Sequence, residues 1–331
     1  MGGALRYNGF VKRIRGFLLG VSIITLLIGC GGPKERAAPV RPPAAPDLQS
    51  LRPETALAGR IVFQSDLDGD NDIYLLTTDR LIKLTDNAWD DRYPRWSPDG
   101  RRIAFSANPK GNFDIFVMDA DGIGLTAVTD SPEDELDVAW GPDGKAIFFS
   151  RSAAGPASRG ESSTWTIDLA SGRQSEAIPG FRRSNGLADI SPLSNSIAFT
   201  GKRLFGGWDV FLFDPRAGSV QALTKGGDAC RARFSPDGGR IAYVSSAADG
   251  KGDVWVMNAD GSGKTRITER SETYDYFPSW SPDGTRIVFC SNARDKYADR
   301  GDWGLYIVDV RDHSVVRVLD TPGRDVFPDW R

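Results

Sequence analysis

A five-residue corner, Trp96-Ser97-Pro98-Asp99-Gly100, returns along this chain and restricts what it can fold into. Later copies are Trp140-Gly141-Pro142-Asp143-Gly144, Phe234-Ser235-Pro236-Asp237-Gly238 and Trp280-Ser281-Pro282-Asp283-Gly284, with a degraded copy at Ile190-Ser191-Pro192-Leu193 and a terminal Asp329-Trp330-Arg331. The closing residues, aromatic but for Ile190, stand 44 to 50 residues apart. Proline presets φ for a turn and Asp-Gly tolerates positive φ, so each corner predicts a hairpin between two strands. An Ile-rich strand follows each one: Ile103-Ala104-Phe105, Ile147-Phe148-Phe149, Ile197-Ala198-Phe199, Ile241-Ala242-Tyr243 and Ile287-Val288-Phe289, with Ile61-Val62-Phe63 opening the series.

A third strand recurs as Asp72-Ile73-Tyr74-Leu75, Asp114-Ile115-Phe116-Val117, Asp209-Val210-Phe211-Leu212 and Asp253-Val254-Trp255-Val256, and a fourth ends in Leu84-Thr85, Val128-Thr129, Leu223-Thr224 or Ile267-Thr268. One four-stranded sheet cannot bury both faces until neighbours stack against it. The expected fold is therefore all-β, a six-bladed β-propeller of four-stranded antiparallel blades. The chain starts with strands two to four of a blade and ends on a lone first strand, so strand 326–330 is expected to pair into the first blade and close the ring. The residues before the closing aromatics run Asp329, Arg95, Ala139, Asp189, Arg233, Ser279 around that ring. Pairs Asp329–Arg95 and Asp189–Arg233 are thus expected near the axis.

The WSPDG corners, the IAF or IVF strands, the DIY or DVW strands and the terminal LT resemble the repeats of TolB-type β-propellers, over residues 61–331. That resemblance implies a non-enzymatic propeller which binds other proteins of the bacterial envelope, such as a peptidoglycan-associated lipoprotein or an outer-membrane protein. TolB carries an α/β domain ahead of its propeller; the corresponding region here is a Pro-rich segment.

Residues 1–29 combine four cations near the start with an apolar run too short to span a bilayer comfortably, the pattern of an export signal. Leu27-Ile28-Gly29-Cys30 resembles the lipobox of bacterial lipoproteins, which implies lipidation at Cys30 and a periplasmic, lipid-anchored protein. Gly31, where a retention aspartate can stand, implies the outer membrane by the same resemblance. Residues 30–59 are rich in Pro and Ala and bury no face, so they read as a tether that reaches up to roughly 90 Å when extended; residues 60–331 form the propeller.

The formal charge of −3 falls to −7 once Arg6, Lys12, Arg13 and Arg15 leave with the signal, which argues against nucleic acid. Cys230 and Cys290 are expected as free thiols, with a disulfide as the alternative. Residues 66–72, Asp-Leu-Asp-Gly-Asp-Asn-Asp, look like a calcium loop, but Gly falls at the fourth place and no Glu arrives at the twelfth, so a solvated turn is expected. Gly261-Ser262-Gly263-Lys264-Thr265 lacks the first glycine and the helix of a phosphate-binding loop. The single histidine, His313, falls in a turn, far from any arrangement that activates a nucleophile. No metal, cofactor or catalytic residue is expected, and a monomer is.

Loops joining strands two to three and four to one leave a propeller on one face, and here they vary most. Residues 151–163 and 292–302 are long, and 202–207 carry Leu204 and Phe205. Variable loops on a rigid scaffold mark a binding face. Its expected partner-binding residues are Asp91, Arg92, Asp134, Glu135, Arg183, Asn185, Asp228, Arg231, Tyr274, Asp275 and Asp325. For a single position, an aspartate that ties its own loop is the commoner role. Two other readings remain open: a peptidoglycan or carbohydrate binder stacking sugars on Tyr274, Tyr276 and Trp208, and a hydrolase or lyase that uses carboxylates.

Overall fold

The computed structural model describes residues 57–152, 161–270, 272–292 and 303–331. The expected signal segment, Cys30 and the tether up to residue 56 lie outside the described residues. The strands are β1 Ile61–Ser65, β2 Asp72–Leu76, β3 Leu81–Lys83; β4 Asp91–Trp96, β5 Arg102–Ala107, β6 Asp114–Asp119, β7 Thr126–Ala127; β8 Asp134–Trp140, β9 Ala146–Ser152, β10 Ser162–Asp168, β11 Gln174–Glu176; β12 Asn185–Ile190, β13 Ile197–Lys202, β14 Trp208–Asp214, β15 Ser219–Ala222; β16 Ala229–Phe234, β17 Arg240–Ser245, β18 Asp253–Asn258, β19 Thr265–Arg266; and β20 Tyr274–Trp280, β21 Arg286–Asn292, β22 Trp303–Asp309, β23 Val315–Leu319, β24 Val326–Trp330. They form six four-stranded antiparallel sheets. Blade one has the order β24-β1-β2-β3, with Ile61 opposite Trp330 and Val62 opposite Asp329, so the last strand closes the ring as expected.

The core lies between blades rather than inside any one of them. Val62, Ile73 and Leu75 of blade one pack on Trp96, Ile103, Phe105 and Met118 of blade two, and four of the other interfaces are built alike. At the closing interface Phe63, Tyr74 and Leu76 meet Val288, Leu305 and Ile307, joined by Val326 and Trp330. Because both faces of a blade meet a neighbour, β1 is buried at all five positions, Gln64 and Ser65 included.

Each corner is built the same way. Gly100, Gly144, Gly238 and Gly284 take φ of 65 to 69°, where a Cβ would be strained. The Ser97 hydroxyl donates to Asp99 (2.6 Å) and accepts from the Arg102 N–H (2.9 Å), and Ser235 and Ser281 repeat both bonds. The Trp has a partner on the preceding blade. Arg60, Arg102, Arg240 and Arg286 stack over Trp96, Trp140, Trp280 and Trp330 with the guanidinium carbon 4.5 to 5.0 Å from the ring centre. Three of these arginines also donate to the corner glycine carbonyl of the next blade, at 2.8 to 3.0 Å. Where the corner carries Ile190 or Phe234 instead, the place of the arginine is taken by Ala146 or Ser196. The corner motif is thus half of an inter-blade clasp.

The terminal Leu-Thr has a bond of its own. The hydroxyls of Thr85, Thr129, Thr224 and Thr268 accept from the N–H groups of Ile73, Ile115, Val210 and Val254 at 2.9 to 3.0 Å. Thr85 and Thr224 donate in turn to the buried carboxylates of Asp72 and Asp209. In blades one and four the aspartate opening the third strand thereby holds the short outer strand in register. Cys230 and Cys290 are free thiols.

Candidate functional site

The inner strands place the expected binding residues at the loop end of the propeller, but burial divides them. Asp91, Glu135, Asp275 and Asp325 are 0% exposed and Asn185 is 1% exposed. All five occupy the same place, five residues before the closing residue of the strand. Each accepts at least one hydrogen bond from within, although one oxygen of Asp91, Glu135 and Asp275 stays unpartnered. Asn87 donates to Asp91 (2.6 Å), Arg151 Nε to Glu135 (2.9 Å), Ser291 to Asp275 (2.6 Å), and Ser65 and Thr321 to Asp325 (2.7 and 2.9 Å). Asn185 accepts from the Thr164 N–H and hydroxyl. As contact residues for a partner these five are corrected: they tie the loops, because a buried carboxylate must find donors close by.

Five others reach the surface in part or fully: Arg92, Asp134, Arg183, Asp228 and Tyr274. Arg92 pairs with Asp90 at 2.7 Å, Asp134 accepts from the Phe113 N–H at 3.0 Å, and Arg183 lies over the Phe181 ring at 4.5 Å. Asp228 accepts from Ser245 at 3.4 Å, and Lys251 stands over the Tyr274 ring at 5.6 Å. The rings considered for stacking sugars stand on two blades. Trp208 belongs to blade four and Tyr274 and Tyr276 to blade six, with blade five between, and Tyr276 packs on Trp303.

Arg231 is the eleventh, and its role is different. It is one of six non-glycine residues with φ of 53 to 60° that occupy one position in every inner strand: Tyr93, Asp137, Leu187, Arg231, Phe277 and Phe327. The strand pairing shifts register around each of them, so each is a β-bulge that turns a bulky side chain toward the axis. There they meet. Phe327 packs on Tyr93 at 4.3 Å and on Phe277 at 3.8 Å, and Arg231 lies 4.0 Å over Phe277. The plug leaves a cavity of ≈ 20 Å³, room for about one water. Burial pushes the Asp137 carboxyl up to about 6, against the pull of Arg231, Arg233 and Arg95. Left-handed φ in bulky residues costs on the order of 1 kcal/mol or more each and persists because axial packing holds it. This ring was not read from the sequence. Its trace was there: an aromatic-Pro dipeptide recurs at Tyr93-Pro94, Phe277-Pro278 and Phe327-Pro328, and Pro, lacking an N–H, suits a place where a ladder bond is dropped.

Below the plug lies the charged ring. Arg95 reaches Asp329 at 2.9 Å, as expected, and also crosses the axis to Asp189 at 2.8 Å. Arg233 stands 3.7 Å from Asp189, so the expected neighbour is the more distant of the two partners. Asp329 and Asp189 further accept the N–H groups of Trp96 and Phe234, each at 2.8 Å, and Ser279 donates to Asp329. Five blades are joined through two carboxylates. The ring floors a depression of ≈ 270 Å³ on the corner face, walled by Trp96, Trp140, Trp280 and Trp330 and by the corner prolines.

Asp68, Asp70 and Asp72 are close enough together to hold a cation. The Lys83 ammonium takes that place, bonded to Asp68 and 3.0 Å from Asp72, and Asp72 is fully buried rather than part of a solvated turn. Blade five repeats the arrangement with Arg266 between Asp249 (2.6 Å) and Asp253 (2.9 Å), which marks it as a structural clasp.

Burial pushes the Asp325 carboxyl up to about 7 and that of Asp91 up to about 6, against the hydrogen bonds they receive. An unfolded aspartate titrates near about 3.9. The folded state therefore binds these protons more tightly, and their contribution to stability is complete below about pH 4 and lost as pH rises to about 7. Asp325→Asn is expected to flatten the fall in stability between pH 5 and 8 and to raise stability at pH 8 by about 1–3 kcal/mol. The amide can accept from the Thr321 N–H and donate to the Ser65 and Thr321 hydroxyls, and blade four already carries Asn185 at this place. Urea titrations at both pH values check it; an unchanged slope overturns it.

A family model described as the TolB beta propeller domain matches residues 157–298. By structure, TolB from Acinetobacter baumannii superposes with a TM-score of 0.68 at 21% identity, over 82% of this chain and 66% of that one. The fold is that of a TolB-like propeller. A second match, a protein of Agrobacterium tumefaciens assigned as TolB, gives a TM-score of 0.64 at 22% identity, over 81% of this chain and 92% of that one. An uncharacterized protein of Agrobacterium fabrum is 34% identical over 139 residues, which is 41% of this TolB-like chain and 43% of the relative, so the match spans less than half of that protein. The oligogalacturonate lyase of Vibrio parahaemolyticus shares the propeller with a TM-score of 0.55 at 13% identity, over 79% of this chain and 75% of that one.

Proposed function

We propose that this chain is a non-enzymatic, lipid-anchored, protein-interaction module of the bacterial envelope, periplasmic and held at the outer membrane through Cys30. The observation that carries it is the axial plug. At the loop end the six bulge side chains fill the centre, leaving ≈ 20 Å³, so the exposed Arg183 and the partly exposed Arg92, Asp134, Asp228 and Tyr274 surround a platform and not a cleft. A platform of arginine, tyrosine and mixed charge suits a folded protein, since Arg and Tyr combine large contact area with a polar end. The likeness to TolB supports the same reading. An oligogalacturonate lyase has the same fold, but the charges in the corner-face depression of this chain neutralise one another across blades and so are spent on packing.

The test is crosslinked capture from intact envelopes with the full chain. Arg92→Ala with Tyr274→Ala is expected to leave the thermal transition in place and to weaken capture by about 2 kcal/mol, roughly thirtyfold. Arg231 is unsuited to this test, because it is packed in the axial plug. Undiminished capture by the double variant would place the interface elsewhere.

A further inference from the structure

The hairpin between β13 and β14 departs from its counterparts. The Arg203 N–H donates to the Gly207 carbonyl at 3.1 Å, closing a five-residue loop in which Gly206 and Gly207 both have φ of 69°. Gly207 lies so near Gly227 that a Cβ would come within 2.3 Å of its carbonyl oxygen, and the Trp208 N–H donates to that same oxygen at 3.1 Å. The base of the loop is therefore held. At its tip Leu204 is 71% and Phe205 90% exposed. The corresponding loops of blades one, two and five, residues 66–71, 108–113 and 246–252, turn polar residues outward and bury their Leu67 and Phe113.

Cations stand on the segments beside this tip. Arg182 and Arg183 on the preceding loop, Lys202 at the end of β13 and Lys225 on the following loop are all exposed. The three segments are bonded together, Lys202 N–H to the Ser184 carbonyl at 2.9 Å and the Arg203 guanidinium to the Lys225 carbonyl. Of the nearby carboxylates, Asp209 is 1% exposed and lies 3.3 Å from Arg203, Asp228 is half-buried, and Glu161 is exposed beside Ser162, whose N–H donates to Ser184, so one acid stands among four exposed cations. In a chain whose formal charge is −3, blade four thus presents a convex apolar tip on segments that carry an excess of exposed positive charge.

We infer that this hairpin docks blade four onto an anionic phospholipid surface. Phe205 and Leu204 enter the interface between headgroups and acyl chains, and Arg182, Arg183, Lys202 and Lys225 meet the phosphates. A two-residue convex wedge fits a surface that yields around it, and long exposed cationic side chains follow phosphates that move laterally. An acidic protein would have to offer a matched concave pocket to remove the same apolar area from water. The contact is independent of the reading of Cys30, shares only Arg183 with the protein-binding platform, and would fix how the propeller faces the bilayer.

The test uses the full chain, in a Cys30→Ser background, with Phe205→Cys carrying an environment-sensitive fluorophore and Lys110→Cys on blade two as the control position. On vesicles containing about 30% phosphatidylglycerol in phosphatidylcholine, the label at 205 is expected to shift to the blue and to be quenched by nitroxide-bearing lipid, while the label at 110 stays in water. Arg182→Ser with Arg183→Ser and Lys202→Ser, or about 0.5 M NaCl, is expected to reduce the quenched fraction at least about fivefold. The inference is overturned if the label at 205 remains in water on these vesicles, if it inserts equally into phosphatidylcholine alone, or if only an added envelope protein buries it.

Discussion

Removing residues 326–331 leaves a chain with no cooperative thermal transition. The loss is larger than that of an ordinary edge strand, because β24 is the inner strand of blade one and lies against the blades on both sides. Val326, Pro328, Asp329 and Trp330 are all buried, and Trp330 and Val326 belong to the core that joins blade six to blade one. Its removal exposes the ladder edge of β1 and also breaks the Arg60–Arg331 backbone pair (2.6 and 2.8 Å), the bond from Trp330 Nε1 to the Ala58 carbonyl (2.8 Å) and the bond from Trp96 N–H to Asp329. Trp330→Ala alone is expected to cost about 3–5 kcal/mol, the range for truncating a large buried aromatic. Calorimetry of the deleted chain and urea unfolding of Trp330→Ala check this. A deleted chain that melts cooperatively near the wild-type temperature would mean that the five remaining blades and the three-stranded remnant hold without closure.

Arg95→Leu is expected to destabilise the propeller by about 3–5 kcal/mol, because it leaves two largely buried carboxylates, Asp189 and Asp329, without the guanidinium that bridges them across the axis. The side chain is 12% exposed and its partners 15% and 12%, so water replaces the lost charge only in part. Arg233, at 3.7 Å from Asp189 alone, cannot serve Asp329 in its place. Adding Asp189→Asn and Asp329→Asn to the Arg95→Leu chain is expected to recover part of the loss, since each amide oxygen can still accept the N–H of Phe234 or Trp96. Urea unfolding at pH 7 of the single and triple variants decides the matter. A single variant within 1 kcal/mol of wild type, or a triple variant less stable than the single, would show the pairs to be incidental.

Repetition made the architecture legible. The spacing of Trp96, Trp140, Ile190, Phe234, Trp280 and Trp330, the strands after each corner and the lone final strand already contained six blades and their closure, because each blade repeats one local pattern and buries its faces only on its neighbours. Asp329–Arg95 could be inferred too, since neighbouring blades place equivalent residues side by side. The contact between Arg95 and Asp189 could not, as it runs between blades two and four across an axis that no repeat unit contains. Nor could the sequence sort the loop-face acids by burial: Asp91 stands five residues and Asp134 six residues before its closing tryptophan, and only the packing of adjacent loops takes the first of these places out of water. The bulge ring is the clearest case. Left-handed φ at Tyr93 or Phe327 is unfavourable for the residue by itself and is held only by five other side chains that arrive at the axis from elsewhere in the chain. Local pattern and period determined the blades; what meets at the axis and what stays in water were decided by tertiary packing, which is a property of all six blades at once.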